Sequence, residues 1–347
     1  MSGSLVKTFR IGIVGSGFGV TAHLPALLAH PRFEVVALAS PSSAVRIARE
    51  RGIGHAFPSC AAMLAGCELD AVTVASPPFA HRDDVLECLA QRKHVLCEKP
   101  FALDVASAQT MVEAAAVAGT ACGVAHEFRF VSQAQALREL VVNRHLDPLR
   151  DIEITLLRGN LRRDQERPRG WWFEREGGGG LAGAVFSHLV DYAGWLAGAS
   201  PHHTVGLVRT ANAQRHDEAG AFTSSVDDGA FALIDYGQGL VARLCADATT
   251  AVQSYTCAVH GEARTAVASG PSITDLTLYT IDEGETNELI CKPSPYARYA
   301  GVNANVPLLL ELYDEFVKKI EGKPNALPTF EEALATQKAL AAIGYGV

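Results

Sequence analysis

The chain reads as an α/β protein in two parts: a doubly wound parallel sheet over residues 1–125, then an α+β part over 126–330 built on a largely antiparallel sheet. Three observations predict this. Apolar strands alternate with helices through the first third of the sequence. Beyond about residue 143, strand-like runs mostly follow one another without helices between them. The length of 347 residues also exceeds one ordinary core.

Residues 9–14 form the first strand, with Ile11, Ile13 and Val14 apolar, and lead directly into Gly15-Ser16-Gly17-Phe18-Gly19. Ala22, Leu24, Ala26, Leu27 and Leu28 then carry helical spacing. In a strand–glycine–helix context, glycines admit a pyrophosphate and the open N–H groups of the helix bind it. The third glycine of the common G-x-G-x-x-G spacing falls at Val20, with Gly19 one place early.

Residues 34–39 supply the second strand, whose end selects between dinucleotides. An acid there would bind a ribose 2′-hydroxyl and repel a 2′-phosphate. This chain instead carries Ser40-Pro41-Ser42-Ser43, with Arg46 and Arg49 behind. Ser40, Ser42 and Arg46 favour NADP(H), with NAD(H) the alternative, because hydroxyls and a forked guanidinium suit phosphate. Ser42 or Ser43 also suits the N-cap of the next helix.

The strand 70–75 ends in Ser76-Pro77-Pro78, a stiff lip for a nicotinamide or ribose, and His81 opens the following helix beside it. Residues 94–97 then run into Glu98-Lys99-Pro100. Ligands bind at the carboxyl edge of a parallel sheet, so Lys99 is a catalytic candidate. A helix over 104–118 and a strand over 121–125 complete the alternation, with Glu127 and Arg129 at its end.

In the second part a helix near 133–143 precedes strands at 152–157, 204–210, 227–236, 240–246, 255–260 and 274–281. One face of such a sheet needs a cover of helices, a second subunit or both, and a homo-oligomer, dimer or tetramer, is expected. Between the first two strands, Pro168-Arg169-Gly170-Trp171-Trp172 leads through residues 177–180, all glycine, to His188 and Asp191. The glycines are expected to leave the start of this helix open to a ligand. His188 and Asp191 stand three apart, so the carboxylate can orient the imidazole.

A formal charge of −8 without a clustered basic run excludes binding to nucleic acid or anionic membranes, and small molecules are the expected partners. No apolar run reaches the ~20 residues of a membrane span and no signal core opens the chain, so a cytoplasmic protein is expected. The eight cysteines form no C-x-x-C pair, and neither metal nor disulfide is expected.

With these residues in place, the chain resembles the Gfo/Idh/MocA family of NAD(P)-dependent oxidoreductases over nearly its whole length. The likeness rests on residues 14–19 with His23 and Pro25 behind, on 94–100, on the glycine-led segment to His188-Leu189-Val190-Asp191, and on Pro328-Thr329-Phe330-Glu331-Glu332-Ala333. It implies a Rossmann domain followed by an α/β domain with an open sheet, a site between them, sugar, cyclitol or polyol substrates, association through the open sheet, and a final helix, 331–342, returning to the first domain. Many members carry an Asp four residues before the helix His, where this chain has Ala184. Its Gly183-Ala184-Val185-Phe186-Ser187-His188 matches a Gly-Ala-x-x-Ser-His pattern of other branches.

The expected chemistry is reversible hydride transfer between nicotinamide C4 and a hydroxyl or carbonyl carbon. His188 or Lys99 moves the hydroxyl proton, and the sequence leaves the division open. Glu98 orients Lys99 or the cofactor ribose. Glu127 contacts cofactor or substrate, and Arg129, Arg169 and Trp172 are candidates for the substrate wall with Asp191. The alternative is an NADP(H)-sensing regulatory protein that has lost catalysis. Ala184 favours that alternative, and the pairing of Lys99 with His188 opposes it.

Overall fold

The computed structural model describes residues 7–346. The chain separates into two compact units. The first comprises residues up to Ala102, Ala106–Glu127 and Pro295–Glu331; the second comprises Leu103–Val105, Phe128–Ser294 and the chain from Glu332 onward.

The chain opens with β1 (Phe9–Val14), a wide π-helical turn at Gly19–His23, α1 (Leu24–Ala29), β2 (Phe33–Ala39), α2 (Ala44–Arg51), β3 (His55–Phe57) and α3 (Cys60–Gly66). It continues through β4 (Ala71–Val74), α4 (Pro78–Ala90), β5 (His94–Cys97), α5 (Val105–Ala118) and β6 (Cys122–Val124). The six strands are parallel in the order β3-β2-β1-β4-β5-β6, which reverses between β1 and β4. That reversal opens a crevice at the carboxyl edge, the usual place for a ligand in an open α/β sheet. Register brings the edge together: Val14 pairs with Val74 and Val74 with Cys97. Gly15, Ala75 and Glu98 therefore emerge side by side.

The next elements are α6 (Ser132–Val142), β7 (Leu149–Leu157), a π-helical turn at Ala182–Phe186 continued by α7 (Ser187–Ala197), and β8 (His203–Arg209). They are followed by β9 (Gln214–Asp217), β10 (Gly220–Thr223), β11 (Gly229–Asp235), β12 (Val241–Asp247), β13 (Ser254–Gly261), β14 (Arg264–Ser272), β15 (Asp275–Asp282) and β16 (Glu285–Leu289). The eight-stranded sheet runs β16-β15-β14-β13-β7-β12-β11-β8, antiparallel throughout except where β7 lies parallel to β12. Along β11, Ala230, Ala232 and Ile234 are buried while Leu233 is 49% exposed, as for a sheet covered on one face only. Val205 and Leu207 of β8 join Leu233 on the open face, around a shallow groove of about 400 Å³.

Two further helices, α8 (Val306–Ile320) and α9 (Phe330–Ala342), end the fold. The sequence reading passes over α8, although its buried Leu309, Leu312, Tyr313 and Phe316 trace an amphipathic stripe. Tyr313 and Phe316 pack on Phe33 of β2, with ring centroids 5.4 and 6.3 Å away. Burying side chains of this size stabilises by roughly 1.5–3 kcal/mol each. Residues 295–331, which contain α8, group with the first unit, and from Glu332 onward the chain groups with the second.

Candidate active site

In the first unit the glycine turn forms as the strand–turn–helix pattern predicts. Gly15 has φ +107° and its Cβ would lie 2.1 Å from the Ala75 carbonyl oxygen, so only glycine lets the turn cross β4. A Cβ on Gly17 would meet nothing within 4 Å, leaving space above the turn. The helical turn beginning at Gly19 has no side-chain cap from Phe18, and its Val20 and Thr21 N–H groups fold back onto the Gly17 carbonyl, each at 3.1 Å. These residues fit a dinucleotide pyrophosphate.

At the end of β2, Ser40 is buried and donates to the Ser16 hydroxyl at 3.1 Å, while lying 2.9 Å from the Ser43 hydroxyl. Ser43 occupies the N-cap of α2 without making a cap bond, so its hydroxyl serves this cluster instead. Ser42 is exposed. Arg46 is also exposed, and one guanidinium nitrogen bonds both oxygens of Glu50 at 2.9 Å. An exposed i,i+4 pair of this kind stabilises by only ~0.3–0.5 kcal/mol.

The Ser76-Pro77-Pro78 lip opens α4, with Pro77 at the N-cap and Pro78 as the first helical residue. The Ser76 hydroxyl donates to Asp84 at 2.6 Å, and burial lifts the Asp84 carboxyl to about 6. His81 is wholly buried. Its Nδ1 lies 3.0 Å from the Pro100 carbonyl and its Nε2 2.7 Å from the Ser76 carbonyl. Desolvation lowers its pKa despite these two acceptors. The ring braces the lip against the Glu98-Lys99-Pro100 loop, a bond pattern invisible in the sequence.

Glu98 is 6% exposed and central to a chain of hydrogen bonds. Its Oε1 lies 2.7 Å from His23 Nε2, His23 Nδ1 lies 2.8 Å from the Tyr313 hydroxyl, and that hydroxyl lies 2.9 Å from Thr73 Oγ1. With the ring proton on Nε2, Thr73 donates to Tyr313, Tyr313 to His23 and His23 to Glu98, so each buried group is satisfied. Burial alone would raise the Glu98 pKa, but the His23 bond and the Lys99 charge outweigh it and hold the carboxyl below its ordinary value. Glu98 Oε2 also accepts the Lys99 backbone N–H at 3.1 Å. Lys99 is half-buried, and its Nζ lies 5.8 Å from the centroid of the Phe18 ring. The leading catalytic candidate and the glycine turn are therefore neighbours. His23 and Tyr313 had no role in the sequence reading. Their separation of 290 positions leaves no local signal that they meet. Glu127 is buried at the start of a 3-10 turn, Glu127–Phe130.

In the second unit, His188 is 2% exposed and stacks on Phe128, with ring centroids 4.0 Å apart and planes 10° apart. Asp191 directs both oxygens to Arg129: Nε donates at 2.7 Å and Nη2 at 2.6 Å, while Arg129 Nη1 lies 3.2 Å from Glu332. Although burial alone would lower the Arg129 pKa, these carboxylates raise it. The structure thus gives Arg129 a bracing position on α7 where the sequence suggested the substrate wall.

Arg169 is likewise committed. Its Nε and Nη2 grip Asp217 at 2.9 and 3.0 Å, tying its loop to the β9–β10 hairpin. Trp172 packs edge-on to Phe173 at 5.0 Å, with the Arg167 guanidinium 4.6 Å above its ring. The glycine run before α7 overturns one expectation. A Cβ on Gly179 would lie 2.1 Å from the Trp172 carbonyl, and one on Gly180 would lie 2.5 Å from Asp227 Oδ1. These glycines admit the protein's own backbone and a buried acid, where the sequence suggested room for a ligand. Ala184, the position of the absent carboxylate, is half-exposed in the π-helical turn before His188.

Comparisons with known proteins agree with this architecture. Residues 9–126 match the profile described as an oxidoreductase family with an NAD-binding Rossmann fold, and residues 134–267 match the GFO/IDH/MocA C-terminal domain. An uncharacterized oxidoreductase of Synechocystis is 33% identical over 209 residues, 60% of this chain and 56% of that relative, so the match spans little more than half the relative's length. A D-glucoside 3-dehydrogenase of Escherichia coli is 25% identical over 344 residues, covering 96% of this chain and 94% of the relative. Among solved structures, an NAD-binding oxidoreductase from Klebsiella pneumoniae superposes with a TM-score of 0.82 at 25% identity, over 97% of this chain and 96% of that one. Among the described residues, no helix is long and apolar enough to cross a membrane.

Proposed function

Because the chain belongs to the Gfo/Idh/MocA oxidoreductase family, we propose that it is an NAD(P)-dependent enzyme transferring a hydride between the nicotinamide and a hydroxyl or carbonyl carbon of a sugar, cyclitol or related polyol. The observation that carries this reading is the placement of Lys99 over Phe18, which sets a catalytic-type cation beside an uncapped glycine turn at the switch point of a parallel sheet.

When bound, the cofactor supplies the redox chemistry, and the chain's own residues hold and orient the reactants. Gly15, Ser16, Gly17, Phe18 and Gly19 hold the pyrophosphate. Ser76, Pro77, Pro78, Glu98 and Glu127 line the path of the ribose and nicotinamide, and His81 positions that lip from beneath. Lys99 donates a hydrogen bond to the reacting oxygen and stabilises alkoxide character there. His188 accepts the hydroxyl proton in the oxidation direction, held flat by Phe128. Arg129 and Asp191 act through α7 as positioning residues.

NADP(H) is the preferred cofactor in this reading. No acid stands at the end of β2, and the exposed Arg46–Glu50 pair is cheap to break in favour of a 2′-phosphate. The open face of the second sheet, with Leu207 and Leu233 about half exposed, is the proposed contact of a homo-oligomer. The deciding experiment is titration of the full chain with NADPH and NADH, followed by a screen of sugars and polyols with the tighter cofactor. Saturable NADPH binding with turnover of at least one polyol is expected; binding of neither cofactor overturns the proposal.

A further inference from the structure

A cavity of about 310 Å³ lies wholly within the second unit, walled by α6, by α7 with the loop after it, and by α9. Arg129, Arg138, Trp195, Ser200, Glu332 and Thr336 are among its lining residues. Its volume is at the lower end of small-molecule pockets, which run from ~300 to 1,000 Å³.

The charges in this wall are unequally satisfied. Arg129 is enclosed by Asp191 and Glu332. Arg138 instead donates from Nη1 to the Leu196 carbonyl at 3.0 Å, and its guanidinium lies 5.6 Å from the Trp195 ring centroid. Among the described residues, no carboxylate stands within ion-pair distance of it. A guanidinium has five N–H donors, so most of its capacity remains for a ligand. Desolvation, and then the neighbouring Arg129 charge, lower the Arg138 pKa, and the Glu332 charge offsets them only in part.

The remaining groups narrow the ligand. Glu332, whose side chain is 43% exposed, borders the cavity and disfavours a dianion. Ser200 and Thr336 offer hydroxyls, which suit a ligand rich in hydroxyls itself. We propose that this cavity binds a small monoanionic hydroxycarboxylate, its carboxylate held by the fork of Arg138 and its hydroxyls by Ser200, Thr336 and Glu332. The wall it occupies includes α7, the helix that carries His188. Arg129 and Asp191, which position α7, also line this cavity, but neither Lys99 nor His188 does, and its occupancy is measured without turnover.

The test is calorimetric titration of the full-length protein with D-gluconate, D-glucose, acetate and inorganic phosphate. D-Gluconate should saturate one site, with D-glucose at least tenfold weaker. Arg138→Gln should weaken D-gluconate at least tenfold. Ala199→Trp, which fills the cavity from its exposed rim, should abolish binding without disturbing the core. His188→Asn should leave the affinity unchanged. Absence of saturation, equal binding of D-glucose, tighter binding of phosphate or acetate, survival of binding in Arg138→Gln, or its loss in His188→Asn would each overturn the proposal. NADPH binding measured on the same preparations tests the oxidoreductase reading separately.

Discussion

Replacing Arg129 with Met removes three donors from two carboxylates at once. Asp191 is 3% exposed, so both of its oxygens would lose the Arg129 guanidinium in a buried setting, whereas Glu332 can turn to solvent. Breaking a buried pair from one side costs about 3–5 kcal/mol. For a unit of 150–250 residues, each kcal/mol lowers the melting temperature by roughly 2–4 °C, so the loss should be roughly 6–20 °C. The assay is thermal unfolding of the full chain followed by circular dichroism, for Arg129→Met, Asp191→Leu and the double variant. The double variant removes both charges and should recover most of the loss, because apolar replacement of a whole buried pair is often neutral or stabilising. A melting temperature for Arg129→Met within about 2 °C of the parent, or strictly additive losses in the double variant, would refute the assignment of this pair as the brace of α7.

Lys99→Met should lower turnover by orders of magnitude with cofactor affinity retained, as checked by steady-state rates beside fluorescence titration; unchanged turnover removes Lys99 from the chemistry. Gly15→Ala forces a Cβ to 2.1 Å from the Ala75 oxygen at φ +107°, so cofactor binding should be lost, and undiminished NADPH affinity would contradict the placement of the turn. Burial raises the Asp227 carboxyl from 3.8 to about 6, a difference on the order of 3 kcal/mol. The folded state therefore holds this proton more tightly, and the associated stability is lost as pH rises from about 4 to about 6. Asp227→Asn, which can still accept the Ala182 N–H, should flatten that part of a pH–stability profile, and an unaltered profile would count against the shift. Leu207→Glu with Leu233→Glu should convert an oligomer to monomer in sedimentation; a monomeric parent would remove the open-sheet contact.

Much of the fold was legible because it is written in local patterns. The β–α alternation, the Gly15–Gly19 turn, the Pro77-Pro78 lip and the strands of the second sheet each follow from period, apolar runs and turn residues close in sequence. The exceptions are instructive. β14 contains Gly270 and Pro271 and bulges between Ser269 and Ser272, and β16 is almost wholly polar, so neither has a strong strand signature. β3 has three residues and owes its existence to pairing with β2.

The sequence by itself singled out the candidates for chemistry: a cofactor turn, Lys99 at a strand's carboxyl end, and His188 on a helix. Only the tertiary structure decided how their neighbours are used. Glu98 binds His23, which reaches Tyr313 from a helix near the other end of the chain. Asp191 is claimed by Arg129, and the glycines before α7 make room for Trp172 and Asp227. The physical reason is the same in each case. A buried polar atom takes whichever partner the packed chain brings within about 3 Å, and sequence spacing constrains that choice only within one helix or strand.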